Sequence, residues 1–307
     1  MLKRILSFAL CVILSLAIGM NAFASEDNSS NYLIYDIETG EITKHSFNDL
    51  STDKSLSSPA YFPEDEEEHD LPSESGRALI GGEDSLTKIT RTARNPYRST
   101  VYIEIVYNNG SISTFTGFVI GPSAVVTAGH CVINAFNNNN YRTINVIPAK
   151  NGATEPFGST TVNRIVVPEY VQNGPAADDW AILELNDPIG EETGWLGLTS
   201  SSSSLVGTSV ISTGYADYGT ISGQTSDDSY MYEGTGTIRE STATMLKGDW
   251  SAVSGFSGGP VFTSGYVALG ILTGGSPIDG PLYAPNSYYT TATRITPDMY
   301  SLFMEYR

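Results

Sequence analysis

Residues 254–262 read SGFSGGPVF, with Ser257 set between Gly255 and the pair Gly258–Gly259, and Pro260 just beyond. Glycine reaches backbone conformations closed to other residues and lets amide N–H groups come close to a bound group. A serine in this setting is either a nucleophile held on a tight corner or an ordinary residue of a glycine-rich turn. In the second case the turn simply leads into the strand-like run PVFTSGYVALGIL. The pentapeptide alone does not separate the two. The positions of a base and a carboxylate elsewhere in the chain do.

A serine hydroxyl attacks only when a neighbouring base takes its proton, and that base needs a third group to hold its tautomer. From Ala78 to Arg307 the chain has one histidine, His130, in AVVTAGHCV. A lone histidine is ordinarily a packing or surface residue. This one follows an apolar, strand-like run at a Gly-His-Cys corner, where a strand end can aim it into a cleft. The carboxylate lies in DDWAILEL, residues 178–185. Alternate strand residues share a face, so Asp179 goes with Ala181, Leu183 and Leu185, while Asp178, Trp180, Ile182 and Glu184 share the other face, which Glu184 marks as the solvent side. Asp179 is therefore the inward acid, and Asp178 is expected to be a solvated neighbour. A serine elbow in an α/β-hydrolase is followed along the chain by its histidine, and none follows Ser257. The subtilisin-like order, acid first, fails as well. The order here is His130, Asp179, Ser257.

The rest of the chain sets the frame. Lys3 and Arg4 precede the apolar run ILSFALCVILSLAIGM, and Ala22-Phe23-Ala24 follows, which reads as a signal peptide over 1–24. Residues 25–77 carry fourteen acidic and three basic residues and include PEDEEEHD. This stretch reads as an acidic pro-segment, largely disordered, with a small hairpin over NYLIYDIETGEITKHSF as its ordered option. Cleavage is expected after Arg77, by a separate trypsin-like processing protease. Residues 78–307 carry eleven basic and twenty acidic residues, a balance that excludes a nucleic-acid partner of the usual basic kind. No later segment is apolar enough for a membrane span, so no membrane association is expected once the signal is removed. With Cys11 in the signal run, Cys131 is the only remaining cysteine, so no internal disulfide is expected and stability must come from core burial. Short β-branched and aromatic runs, among them TVYIEIVY, TINVIPA, WAILEL and SVISTGY, are separated by Gly, Asn, Ser and Pro clusters. One helix is expected at the end, where Thr296 caps and Pro297 begins it. The fold class is all-β.

TAGHC, DWAILEL and GFSGGPV, in that order, resemble the three motifs of the chymotrypsin superfamily. The flanking text, including PAKNGATEPFGS, LNDPIGEETGWLGL and SSLVGTSVISTGY, is similar to its bacterial glutamyl endopeptidase branch. The resemblance spans residues 78–307. It implies two six-stranded antiparallel β-barrels, meeting near 190–205, with a short C-terminal helix. It also implies a monomeric secreted serine endopeptidase, made as a zymogen and acting on protein or peptide substrates. Its catalytic residues would be His130, Asp179 and Ser257, with the N–H groups of Gly255 and Ser257 as oxyanion hole and no cofactor or metal. A secreted esterase with the same triad, or an inactive binding protein of this fold, are the alternatives.

Three departures bear on what the resemblance implies. Phe256 stands where the superfamily has an aspartate, so a new α-amino terminus has no buried carboxylate to pair with. Phe115 stands where a cysteine would pair with Cys131, leaving a thiol expected to be buried. The positions that would read a substrate carboxylate are Leu272 and Ala252, both apolar. Around them Ser251, Thr273, Gly274 and Gly275 complete the expected substrate pocket, with hydroxyls on Ser251 and Thr273 and the α-amino group of Ala78 as remaining donors. The expected P1 side chain is uncharged, small or apolar. The acidic stretch DDSYMYE and Asp217 lack the spacing of a calcium loop.

Overall fold

The computed structural model describes residues 31–50, 56–63, 86–138, 141–169, 178–217, 229–277 and 288–307. The expected signal peptide, the Arg77–Ala78 bond and Asp227 and Asp228 of DDSYMYE fall outside them.

The described chain opens with β1 (Asn31–Asp36), β2 (Ile42–Ser46), β3 (Ser57–Ser58) and β4 (Thr87–Lys88). Next come β5 (Thr100–Tyr107), β6 (Ile112–Gly121), β7 (Ala124–Thr127), α1 (Gly129–Asn138), β8 (Tyr141–Pro148), β9 (Thr160–Pro168) and β10 (Ala181–Leu185). In β5 the alternation of TVYIEIVY buries Val101, Ile103 and Ile105 while Tyr102 and Glu104 stay partly exposed, as a half-buried antiparallel strand should. Strands β10, β7, β6, β5, β8 and β9 run in that order, and β9 pairs back onto β10, closing a six-stranded barrel.

The chain then crosses through α2 (Gly190–Thr193) and β11 (Gly197–Thr199) to β12 (Ser209–Tyr215), β13 (Met231–Ser241), β14 (Met245–Gly248), β15 (Pro260–Phe262), β16 (Val267–Pro277) and β17 (Tyr288–Arg294). Strands β15, β12, β13, β14, β17 and β16 close a second six-stranded barrel through the β15–β16 pairing. The last element is α3 (Pro297–Glu305), where Thr296 Oγ1 accepts from the Met299 N–H at 3.3 Å and Pro297 supplies the first helical residue. The two-barrel, all-β expectation with its terminal helix holds.

The acidic segment departs from the expectation of a largely disordered tail. Strands β1 and β2 form the hairpin, and β1 also pairs with β9, adding two strands to the first barrel's sheet. Strand β3 pairs with β11 beside the second barrel. The reason is local composition. The acidic average hides NYLIYDI, whose Tyr32 and Tyr35 are buried in the first barrel's core, and exclusion of such rings from water outweighs the cost of ordering the chain around them. The run EDEEEHD lies outside the described residues.

Candidate active site

His130 stands at the start of α1, immediately after the fully buried strand β7. Asp179 precedes Trp180 at the mouth of β10, and β10 pairs with β7 through Ala181↔Thr127. That pairing brings the two residues together. The Asp179 carboxylate accepts twice from the same residue: Oδ1 from the His130 backbone N–H at 2.8 Å, and Oδ2 from the ring Nδ1 at 2.8 Å. It therefore caps the first turn of the helix and fixes the ring with its proton on Nδ1. The Asp179 carbonyl accepts in turn from Thr293 Oγ1 at 3.4 Å, a strut from the second barrel. The imidazole remains 42% exposed and the carboxylate 19%. Partial burial of the ring lowers its pKa, but hydrogen bonding to Asp179 and to the Cys131 side chain outweighs this and raises it above the ordinary 6.5. Asp178 is half-buried rather than solvated, and burial pushes its carboxyl up.

The Ser257 loop explains its glycines. Gly255 has φ +95° and Gly258 φ +86°, a region that side chains disfavour. There is also no room for a Cβ. At Gly255 it would collide with the Tyr215 carbonyl and Asp217, and at Gly258 with Thr127 Oγ1 and the Thr116 carbonyl. Leu272 holds the loop from β16, its carbonyl accepting from Gly258 N–H and its N–H donating to Gly259 O, both at 2.8 Å. Phe256, in the place of an aspartate, is fully buried in the second barrel's core.

Two residues that the motifs do not announce hold the same loop. Thr116, fully buried on β6 of the first barrel, donates its hydroxyl to the Gly255 carbonyl at 2.8 Å. The same oxygen accepts from the Tyr215 N–H at 2.9 Å, and the Thr116 N–H donates to Ser257 O at 3.0 Å. Asp217 accepts from Ser254 Oγ at 2.5 Å and from Thr114 Oγ1 at 3.3 Å, and its N–H donates to Ser254 O at 2.8 Å. Asp217 is thus a fastener of this loop. Among the described residues, the N–H groups of Gly255 and Ser257 are donated to no acceptor.

The arrangement is not fully closed. Nε2 of His130 faces Cys131 Sγ at 3.7 Å, and no hydrogen bond joins His130 to Ser257 among the described residues. Such bonds are often long or absent before substrate binds. Cys131 is a free, buried thiol in the same core to which Phe115 packs, and burial pushes its pKa up.

The expected pocket residues lie around β16. Ser251 is buried, Ala252 half-buried and Leu272 buried within the second barrel's core. Thr273 Oγ1 donates to Thr291 O at 3.4 Å, and Thr290 Oγ1 to Trp250 O at 2.6 Å. Gly274 is partly and Gly275 fully exposed, paired with Thr291 and Thr290 of β17.

Residues 87–297 match the family model described as Trypsin. The chain belongs to the trypsin family. A glutamyl endopeptidase of Bacillus licheniformis is 33% identical over 232 residues, covering 73% of this chain and 67% of that protein. A Bacillus subtilis protein named extracellular metalloprotease is 32% identical over 233 residues, covering 72% of this chain and 67% of its own. A solved Glu endopeptidase, in complex with MPD, superposes with a TM-score of 0.62 at 23% identity, covering 74% of this chain and 98% of that one. This trypsin-family member is a serine endopeptidase.

Proposed function

We propose that this endopeptidase works through Ser257, His130 and Asp179 on exported protein or peptide substrates. The observation that carries the reading is the doubly bonded His130–Asp179 pair beside a loop whose Gly255 and Ser257 N–H groups are left undonated. With Nδ1 occupied by Asp179, the neutral ring has its lone pair on Nε2. Rotating from Cys131 Sγ towards Ser257 Oγ, Nε2 takes the hydroxyl proton as the oxygen attacks the scissile carbonyl. The Gly255 and Ser257 N–H groups receive the developing oxyanion, a donor pair typically worth about 3–4 kcal/mol of barrier for each member. The imidazolium, held by Asp179, then gives its proton to the leaving amine, and water repeats the cycle on the acyl-enzyme. Only the neutral ring can start this sequence. A raised His130 pKa therefore shifts the acid limb of the activity profile above pH 6.5.

The name of the Bacillus subtilis relative raises a metal-dependent reading. Among the described residues, no group of three or more His, Cys, Asp or Glu side chains is placed to hold a metal ion, and residues 78–307 offer His130 alone as an imidazole ligand. This donor set does not fit a catalytic zinc site.

The relatives' names speak of glutamyl cleavage, and the pocket residues of this chain favour a different P1. A carboxylate drawn from water needs a charged or strong donor partner. Leu272 faces the core, and the hydroxyls of Thr273 and Thr290 already donate to backbone carbonyls. The segments 218–228 and 278–287, which flank the barrel strands here, contain no Lys, Arg or His. An uncharged, small or apolar P1 fits this wall. Secretion follows from residues 1–24. Among the described residues, no helix is long and apolar enough to cross a membrane. Activation by cleavage after Arg77 cannot create the trypsin-like buried ion pair, because Phe256 takes the carboxylate's place. The test is kcat/KM on matched peptides with P1 Glu, Leu, Ala and Arg. Leu or Ala is expected to lead, and a tenfold preference for Glu over Leu would overturn the pocket reading.

A further inference from the structure

We infer that residues 31–50 and 56–62 form a permanent clasp across both barrels, and that cleavage after Arg77 leaves them docked, so that the working enzyme is a non-covalent complex of two chains. This rests on the pro-segment reading for the position of the cut, and on the described contacts for everything else.

On the first barrel, β1 lies along Arg164–Pro168 of β9, in register from Asp36↔Arg164 to Tyr32↔Pro168. Strand β8 pairs with β9 only at Thr160 and Thr161, so without β1 the far half of β9 would be an open sheet edge on that side. Two rings anchor the strand in the barrel's core. Tyr35 packs edge-on against Phe136 at 5.6 Å and accepts from the Tyr141 hydroxyl at 3.1 Å. Tyr32 stacks on His45 and against Phe47, whose ring meets Trp180 at 6.2 Å, and Trp180 meets Phe303 of α3 at 5.8 Å. Phe47 thus supports the residue next to Asp179. Glu169 closes the end, accepting from Asn31 Nδ2 at 3.1 Å and Lys44 Nζ at 2.6 Å.

The second hold is on the crossover and the second barrel. Tyr61 and Trp195 exchange backbone hydrogen bonds of 3.0 and 2.7 Å, and their rings lie 4.5 Å apart. Phe62 meets Tyr266 edge-on at 5.8 Å, and Arg307 bonds to Ser58 Oγ and the Pro59 carbonyl. The receiving surface is shaped for this backbone. A Cβ at Gly197 would strike the Ser58 carbonyl at 2.6 Å, and one at Gly194 would strike that of Tyr61.

Two footholds on one connected segment bind more tightly than either alone, because the second closes within the same molecule. None of the segment's hydrogen bonds, ion pairs or ring contacts described above is to His130, Asp179 or Ser257. The clasp therefore supports the catalytic side without filling it, and its retention is compatible with turnover.

The experiment replaces residues 73–77 of the full chain with the recognition sequence of a site-specific protease, cuts the folded protein and passes it through size exclusion with native mass spectrometry. The expected result is one peak holding both chains, persisting in 1 M NaCl and active on peptide substrate. A Tyr32→Ala/Tyr35→Ala chain, cut in the same way, is expected to lose the fragment from that peak and to melt about 10 °C or more below the cut parent. A cut parent whose fragment elutes separately, with no change in melting temperature, overturns the clasp. So does fragment release that raises turnover several-fold, which would mark an inhibitor. Should the tyrosine variant not fold, the elution of the cut parent alone decides. N-terminal sequencing of secreted protein reports separately on the Arg77 cut, so failure of that reading and failure of the clasp are told apart.

Discussion

Replacing Thr116 by Val keeps the side chain's shape and removes only its hydroxyl, which makes it a sharp probe of how the nucleophile loop is held. The hydroxyl serves two buried backbone groups, donating to Gly255 O at 2.8 Å and accepting from Tyr215 N–H at 2.9 Å. Neither finds water in a fully buried site. Each orphaned group costs about 1–3 kcal/mol, so the pair should destabilise the domain by about 2–6 kcal/mol. For a domain of this size that lowers the melting temperature by about 5–15 °C. Because Gly255 belongs to the proposed oxyanion loop, kcat should fall along with stability, measured well below the melting transition. Thr116→Ser restores the hydroxyl and should recover most of both losses. Calorimetry and peptide turnover on the three proteins decide the matter. A Val variant melting within about 2 °C of the parent with unchanged kcat would show that Thr116 does not hold the loop.

Three further outcomes follow from the same geometry. Asp179→Asn should lower kcat by about 10³-fold or more and move the acid limb of kcat/KM to lower pH, because the carboxylate that raises the His130 pKa is gone; an unmoved limb would refute that cause. Because the folded pKa of His130 is raised, its pairing with Asp179 stabilises the protein fully below about pH 6.5, and this is lost as pH rises through the raised value; melting curves of parent and His130→Gln across that window should converge towards alkaline pH. Cys131 should resist thiol reagents in the native protein, and reductants should leave the melting temperature unchanged; rapid labelling would contradict its burial.

Much of the candidate site could be proposed from the sequence because its chemistry is written in residue types with few substitutes. A single histidine after Ala78, an acid placed inward by strand alternation and a serine among glycines fixed the order of three motifs, and that order selected the two-barrel fold. The supports were not legible. Thr116 is one of several threonines in an alternating strand, and nothing local shows that its hydroxyl reaches across to the other barrel. Asp217 stood in an acidic neighbourhood that drew attention to metal binding, whereas its carboxylate accepts from Ser254 and Thr114. The clasp was hidden by averaging: fourteen acids over residues 25–77 obscured two tyrosines three positions apart that belong to the core. Alternation sent Asp178 to a solvent side with Trp180, Ile182 and Glu184, yet Trp180 and Ile182 are buried and Asp178 is half-buried, because alternation carries no information on how neighbouring segments cover that face.

The central claim is that Ser257 is the nucleophile of this endopeptidase, and covalent trapping tests it most directly. A fluorophosphonate probe is added to the active protein, followed by peptide mapping. The account predicts one modified peptide, carrying SGFSGGPVF with the adduct on Ser257, matched mole for mole by loss of peptidase activity, and neither label nor activity in Ser257→Ala. An adduct on another residue, or a Ser257→Ala protein that still cleaves peptide at a rate near the parent's, would contradict it.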